Sequence, residues 1–401
     1  MEGLFHSSEI DCQPSMTDPL PGRTVTGGSG ALPFGAHRPR RGLSIPSVTI
    51  LDRDGRVIED EQRRVFRFNS QSGYGADIIF ACGTTGEWNR ISNDQRQRLI
   101  RIEIDEVRRI NQHAGAHGSR PVEAWAGVTA ESAAETLANL RLSVEVGADA
   151  AVVAPLSIKG LADPVGFFQR EVSDLFDHLG KWLPIYLYDN ADIAVNPRIP
   201  HIKTRDVKRL SRLDFIYGVK VSAPSRVLGN YTKGALHFKD KGAFGVYIGD
   251  AMLIFQVYRM DNGIIGRIRE YWNRYWLHNE APIGVVAGPA NCLPREWQRA
   301  WRACFAGDDR LASLYQAAFD RFTAACCFAP AGGPVKKPIN KTIGCIKEAL
   351  RIEGVIDTAG VAPLTPELSQ SEARRFFSDY MRIKEEIGGL TDSLWISRRE
   401  D

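Results

Sequence analysis

The chain has 401 residues, 43% apolar and 25% charged. That is enough for one large barrel with an appendage or for two ordinary domains, and it excludes wholesale disorder. With 51 basic against 48 acidic side chains, the net charge of +3 gives no electrostatic footprint for nucleic acid or an anionic membrane. The seven cysteines are scattered and odd in number, without a C-x-x-C pair. This argues against a disulfide framework or zinc ribbon and for reduced thiols in a cytosol. No run approaches the ~20 apolar residues of a spanning helix. The start lacks the apolar core of a secretory signal. The expectation is a cytoplasmic protein with neither membrane nor nucleic acid as a partner.

Residues 1–40 are rich in Gly, Pro, Ser and Thr and end in a basic His37-Arg38-Pro39-Arg40-Arg41. No hydrophobic period of 2 or 3.6 appears there, so the segment reads as a mobile tail, and Met16 is an alternative start. From there the chain alternates. Short apolar runs cover Leu43–Thr49, Asp77–Cys82, Val122–Gly127, Ala150–Pro155, Pro184–Tyr188, Phe215–Lys220, Gly245–Ile248 and Ile283–Ala287. Their length and content are those of parallel strands buried on both faces. The spacers between them are amphipathic. Glu131–Val146 carries an apolar stripe ended by Gly147, and Ser92–Ile110 opens on Ser92-Asn93 as N-cap candidates.

Eight such repeats predict an α/β (β/α)8 TIM barrel over residues 41–293. An open doubly wound sheet competes, but no G-x-G-x-x-G follows the first strand. From Pro294 to the end, residues 294–401, the pattern is helical throughout. Trp297, Trp301, Phe305, Leu311, Leu314 and Phe319 recur at helical intervals, followed by Ile343–Leu350 and Glu372–Ile387. This predicts a C-terminal helical extension packed on the barrel or on a neighbouring subunit. Adjacent Cys326 and Cys327 read as buried helix residues.

Barrel active sites lie at the C-terminal ends of the strands, and three ends stand out. The second run closes with Cys82-Gly83-Thr84-Thr85-Gly86-Glu87, a turn with exposed N–H groups and two hydroxyls. Such a turn binds a carboxylate or is simply an ordinary βα turn. The fifth run closes with Tyr186-Leu187-Tyr188-Asp189-Asn190. Alternation puts both tyrosines on one face, to pack or to move a proton. The sixth run closes with Gly218-Val219-Lys220. An ammonium is costly to bury unpaired, and desolvation favours the neutral, nucleophilic amine unless the side chain snorkels out. Tyr188 and Lys220 are one βα repeat apart, so neighbouring strands would put them at the same rim.

In this order the motifs resemble the N-acetylneuraminate lyase / dihydrodipicolinate synthase family of class I aldolases. They are Gly83-Thr84-Thr85-Gly86-Glu87, Ala126-Gly127-Val128, Gly147-Ala148-Asp149-Ala150, the Tyr188 strand end and Gly218-Val219-Lys220. Gly249-Asp250, Ala290-Asn291-Cys292-Leu293-Pro294, Ile346-Lys347-Glu348-Ala349-Leu350 and Gly354 continue the likeness. The resemblance runs from about residue 42 to 385. It implies a homotetrameric or dimeric barrel with no metal and no organic cofactor, acting on a small-molecule 2-keto acid. Lys220 would form an imine with pyruvate or a similar keto acid, Tyr188 would shuttle protons, and Thr84 and Thr85 would bind the carboxylate. Gly83 and Asn291 complete the expected substrate-binding set.

The departures from the family narrow the substrate. Where the family has Tyr-Asn-x-Pro, this chain has Tyr188-Asp189-Asn190-Ala191. The arginine that holds the aldehyde's carboxylate in the synthases is Ile193 here, and their tyrosine pair after the fourth strand is Pro155-Leu156-Ser157. Val221-Ser222 after the lysine lacks the acidic residue often found there. Dihydrodipicolinate synthase activity is therefore disfavoured. The Tyr-Asp-Asn ending is similar to that of sugar-acid dehydratases. The expectation is aldol cleavage or condensation of a 2-keto-3-deoxy sugar acid, or its dehydration through the same imine, with Asp189, Asn190, Ser222 and Asp250 meeting its hydroxyls. A barrel that has lost catalysis and serves as a binding protein is the reading from another class.

Overall fold

The computed structural model describes residues 37–116, 120–234, 243–258, 281–329 and 338–397, with Ile268 and Trp272. Eight parallel strands close into a barrel in sequential order. They are β1 (Gly42–Pro46), β2 (Ile78–Ala81), β3 (Glu123–Gly127), β4 (Ala150–Val153), β5 (Ile185–Asn190), β6 (Ile216–Ser222), β7 (Gly245–Ile248) and β8 (Gly284–Val286). β8 pairs back onto β1, matching Leu43 with Val285. Each strand coincides with one of the eight apolar runs.

The strands are apolar on both faces because each face is buried in a different layer. Inward residues form one cluster that includes Ile78, Phe80, Trp125, Val152, Tyr186, Tyr188, Tyr247 and Val286. Outward residues such as Ile79, Ala126, Leu187 and Val219 join a second cluster with the surrounding helices. Local chemistry sets the helix ends. In the helix Ala133–Val146, the Ser132 hydroxyl accepts from the Glu135 N–H, and Gly147 at φ 82° ends the last turn.

β6 contains a bulge that fixes the site. Ile185 pairs with Ile216, but Tyr186 pairs with Gly218, so Tyr217 is the extra residue. Ile216 faces outward. Strict alternation from there would send Lys220 outward as well. The bulge reverses the parity and brings Lys220 opposite Tyr188. Gly218 is required at this place. A Cβ there would lie 2.4 Å from the Gly245 carbonyl oxygen and 2.7 Å from the Tyr186 ring.

The tail expected over residues 1–40 falls outside the described residues up to 36. His37 onward packs against the barrel floor: His37 Nε2 is 3.0 Å from the Tyr186 hydroxyl, and the Tyr247 hydroxyl donates to the Arg40 carbonyl at 2.7 Å. After β8 come the helices Pro294–Ala306, Asp309–Ala325, Thr342–Ile352 and Gln370–Ser397. Trp297 stacks on Phe319 at 4.1 Å, and the Tyr380 hydroxyl donates to the Cys292 carbonyl. The region is not helical throughout. Cys327–Phe328 and Ile339–Asn340 form a small antiparallel pair, so Cys327 lies in a strand and Cys326 at the preceding helix end. The β-branched and aromatic residues there favour pairing over helix. Among the described residues no helix is long and apolar enough to cross a membrane.

Candidate active site

Three strand ends converge at the C-terminal mouth of the barrel. Lys220 comes from β6, points inward and is 4% exposed. Its Nζ lies 3.8 Å from the centre of the Tyr188 ring and 5.0 Å from that of Phe80. Burial pulls its pKa below that of an ordinary lysine, and the neighbouring phenol opposes this. Burial pushes the Tyr188 phenol up, but the Lys220 charge and three hydrogen-bond partners outweigh it, so its pKa lies below the usual tyrosine value. Both groups thus titrate below their ordinary values, the perturbation expected of a buried pair that handles protons.

Those three partners surround one oxygen. The Tyr188 hydroxyl is 3.0 Å from Thr84 Oγ1, accepts from Asn190 Nδ2 at 2.9 Å and receives the Ser222 hydroxyl at 3.4 Å. Cross-strand register explains this, since Tyr188 pairs with Lys220 and Asn190 with Ser222. The β2 turn supplies Thr84. Gly83 is packed there so closely that a Cβ would meet the Phe80 ring at 2.9 Å. Thr85 faces the end of β8, where a Cβ on Gly288 would lie 3.1 Å from its hydroxyl.

Thr84, Asn190, Ser222, Tyr188 and Lys220 are thus brought together. Asp189, Asn291 and Asp250, also expected to meet the substrate, are not. Asp189 is fully buried on the outer face of β5. Its carboxylate accepts from the Ile202 N–H and the Tyr231 hydroxyl and lies 2.9 Å from His201 Nδ1. The alternation that turns Tyr188 inward turns its neighbour outward. Asn291 is fully buried as well. Its amide accepts from the Val48 N–H and donates to the Pro46 and Gly288 carbonyls, stitching the end of β1 to that of β8. Asp250 sits exposed at the rim beyond β7, at the start of the turn Ala251–Leu253. Phe80 is an addition to the expected set. Its alternation with Ile78 on β2 was the available signal. Among the described residues no group of His, Cys, Asp and Glu could hold a metal ion.

A family model described as the dihydrodipicolinate synthetase family matches residues 39–254, more than half of the chain and all three strand ends. The chain belongs to this family. Members of the dihydrodipicolinate synthetase family are class I aldolases and lyases that work through a lysine Schiff base, and the chain is an enzyme of that class. The 4-hydroxy-tetrahydrodipicolinate synthase of Novosphingobium aromaticivorans is 26% identical over 322 residues, covering 77% of this chain and 90% of the relative. Among solved structures, a sialic acid aldolase of Ruminococcus gnavus, a catalytic lysine mutant, superposes with a TM-score of 0.65 at 14% identity, covering 86% of this chain and 96% of that one. YagE, a family member from E. coli K12 in complex with pyruvate, has a TM-score of 0.62 at 19% identity, covering 86% and 98%. At such identities the structures attest the fold alone.

Proposed function

We propose that the chain is a pyruvate-dependent lyase in which Lys220 is the Schiff-base lysine, and that it cleaves or forms a 2-keto-3-deoxy sugar acid. The observation that carries this reading is the buried Lys220 amine set against the Tyr188 phenol, whose oxygen is held by Thr84, Asn190 and Ser222. A neutral amine attacks the keto carbon and water leaves, giving a protonated imine. The imine is an electron sink. Tyr188 takes the proton of the hydroxyl on the carbon beyond C3. The C3–C4 bond breaks, its electrons enter the imine as an enamine, and an aldehyde departs. Protonation at C3 and hydrolysis release pyruvate and restore the amine. Thr84 and Thr85 hold the carboxylate through hydroxyl and N–H groups of the β2 turn.

A second reading, dehydration, uses the same imine. A proton leaves C3 and the C4 hydroxyl departs as water, so the carbon count is unchanged. The Asn190 amide on the Tyr188 oxygen, in the dehydratase-like strand ending, favours keeping it. Synthesis of the dihydrodipicolinate precursor remains disfavoured. Ile193 packs against the inner-barrel cluster where an arginine would have to hold a second carboxylate. We also read the chain as a cytoplasmic protein, from its unpaired cysteines, and as a dimer or tetramer, as the resemblance implies. Light scattering tests the assembly.

Borohydride reduction in the presence of pyruvate, followed by peptide mass mapping, tests the chemistry. The expected adduct sits on the Lys220 peptide. An unlabelled Lys220 with both pyruvate and longer keto acids would overturn the reading. Product analysis with sugar acids separates the two outcomes: released pyruvate means cleavage, and an intact carbon skeleton means dehydration.

A further inference from the structure

The loop that carries Thr84 is held from the far end of the chain. Glu87 closes the turn, and its N–H donates to the Thr84 carbonyl at 3.0 Å. The Glu87 side chain is fully buried, and its carboxylate accepts three hydrogen bonds. Oε2 accepts from Lys347 Nζ at 2.6 Å, and Oε1 accepts from the Ala362 N–H at 2.7 Å and the Thr365 hydroxyl at 2.6 Å. Lys347, on the helix Thr342–Ile352, is equally buried and also donates to the Gly360 carbonyl at 2.8 Å. The turn's backbone needs such support. Cys82 and Glu87, at its two ends, adopt left-handed φ values of 55° and 57°, which side chains other than glycine seldom take.

We propose that Lys347 is a positioning residue for substrate-carboxylate binding: through Glu87 it holds the 83–87 turn so that the Thr84 and Thr85 donors face the keto acid and Thr84 meets Tyr188. This rests on the reading of that turn as the carboxylate site. A buried ion pair contributes little net stability compared with an apolar pair of the same volume, because desolvation offsets its attraction. What it supplies is a fixed geometry. The pair is neutral as a unit, so the attraction for the anionic substrate is left to the turn's own hydrogen-bond donors, and their placement decides affinity.

The test replaces the pair by neutral groups of similar size, Glu87→Gln with Lys347→Met, in the full chain. Imine formation is titrated by borohydride trapping with pyruvate and with hydroxyacetone, a ketone that lacks the carboxylate. The half-saturating pyruvate concentration should rise about tenfold, the loss typical of one hydrogen bond to a charged group, while that for hydroxyacetone stays put. A folded double variant that traps pyruvate at wild-type concentrations would overturn the proposal, as would an equal loss with both ketones. Where circular dichroism shows the double variant unfolded, Thr365→Val takes its place. It should give a smaller rise with the same selectivity, and an unchanged pyruvate midpoint would again be fatal. Failure of the functional reading looks different: the wild-type enzyme itself would show no pyruvate adduct on Lys220.

Discussion

Tyr188 and Lys220 occupy one rung of the barrel, with the lysine nitrogen 3.8 Å from the centre of the phenol ring and the phenol oxygen 3.0 Å from the Thr84 hydroxyl. The amine is thus covered by the Tyr188 and Phe80 rings, while the phenol oxygen meets the Thr84 and Ser222 hydroxyls. On the proposed reading, this one rung supplies both the nucleophile and the proton carrier.

Replacing Tyr188 by Phe keeps the ring that covers Lys220 and removes only the oxygen. Turnover should fall by about two to four orders of magnitude, the usual share of positioned proton transfer. The Lys220 adduct should still form. Parallel measurement of steady-state turnover and borohydride trapping checks this, and retention of full turnover would remove Tyr188 from the chemistry.

The rate of imine formation should climb with pH as Lys220 loses its proton, because only the neutral amine attacks. Since burial lowers this pKa, the rising limb should lie below the ordinary lysine value of 10.5. The Tyr188 phenol opposes the shift, so the limb of Tyr188→Phe should move lower still. Pre-steady-state trapping across a pH series measures both. A limb at the ordinary lysine position would mean that the amine is solvated.

Gly218→Ala should hurt twice. Its methyl would press on the Gly245 carbonyl and the Tyr186 ring, with a cost of about 1–3 kcal/mol for overpacking a tight site. Relief by loss of the bulge would turn Lys220 out of the barrel. Denaturant melts and pyruvate trapping should therefore both decline. An alanine variant with native stability would show that the strand has room to move.

Glu103 is fully buried, accepts from the Ala81 N–H at 2.9 Å, and is pushed well above the usual carboxyl range, first by burial and then by the Asp149 charge. The folded protein keeps this proton where the unfolded chain has lost it. This contribution is therefore present below the ordinary carboxyl value of 4.5 and declines as pH rises toward the raised one. Glu103→Gln removes the dependence. Melting temperatures of the two proteins should diverge in favour of the variant as the buffer becomes more alkaline, and parallel curves would contradict the assignment.

Much of this architecture is legible in the residues alone. Barrel strands are buried on both faces, so each reads as a continuous apolar run, and the runs Leu43–Thr49 through Ile283–Ala287 mark all eight strands. Turn chemistry likewise marks the β2 loop, and the βα spacing puts Tyr188 and Lys220 on neighbouring strands. Side-chain direction was only partly legible. Period-two alternation already sends Asp189 away from Tyr188, yet whether Lys220 faces in or out depended on one extra residue in β6. Gly218 hinted at that irregularity, but a bulge is set by packing against Tyr186 and Gly245, which no local pattern contains.

Residue types and their order by themselves determined the barrel, its family and the lysine–tyrosine pair, because burial and hydrogen-bonding demands act locally on each strand. Only the tertiary structure decided which way Lys220 points, that Asn291 serves the scaffold, and that Glu87 is met by Lys347 from 260 residues away. Those are contacts between segments remote in sequence, and they arise when closure of the ring brings the segments together.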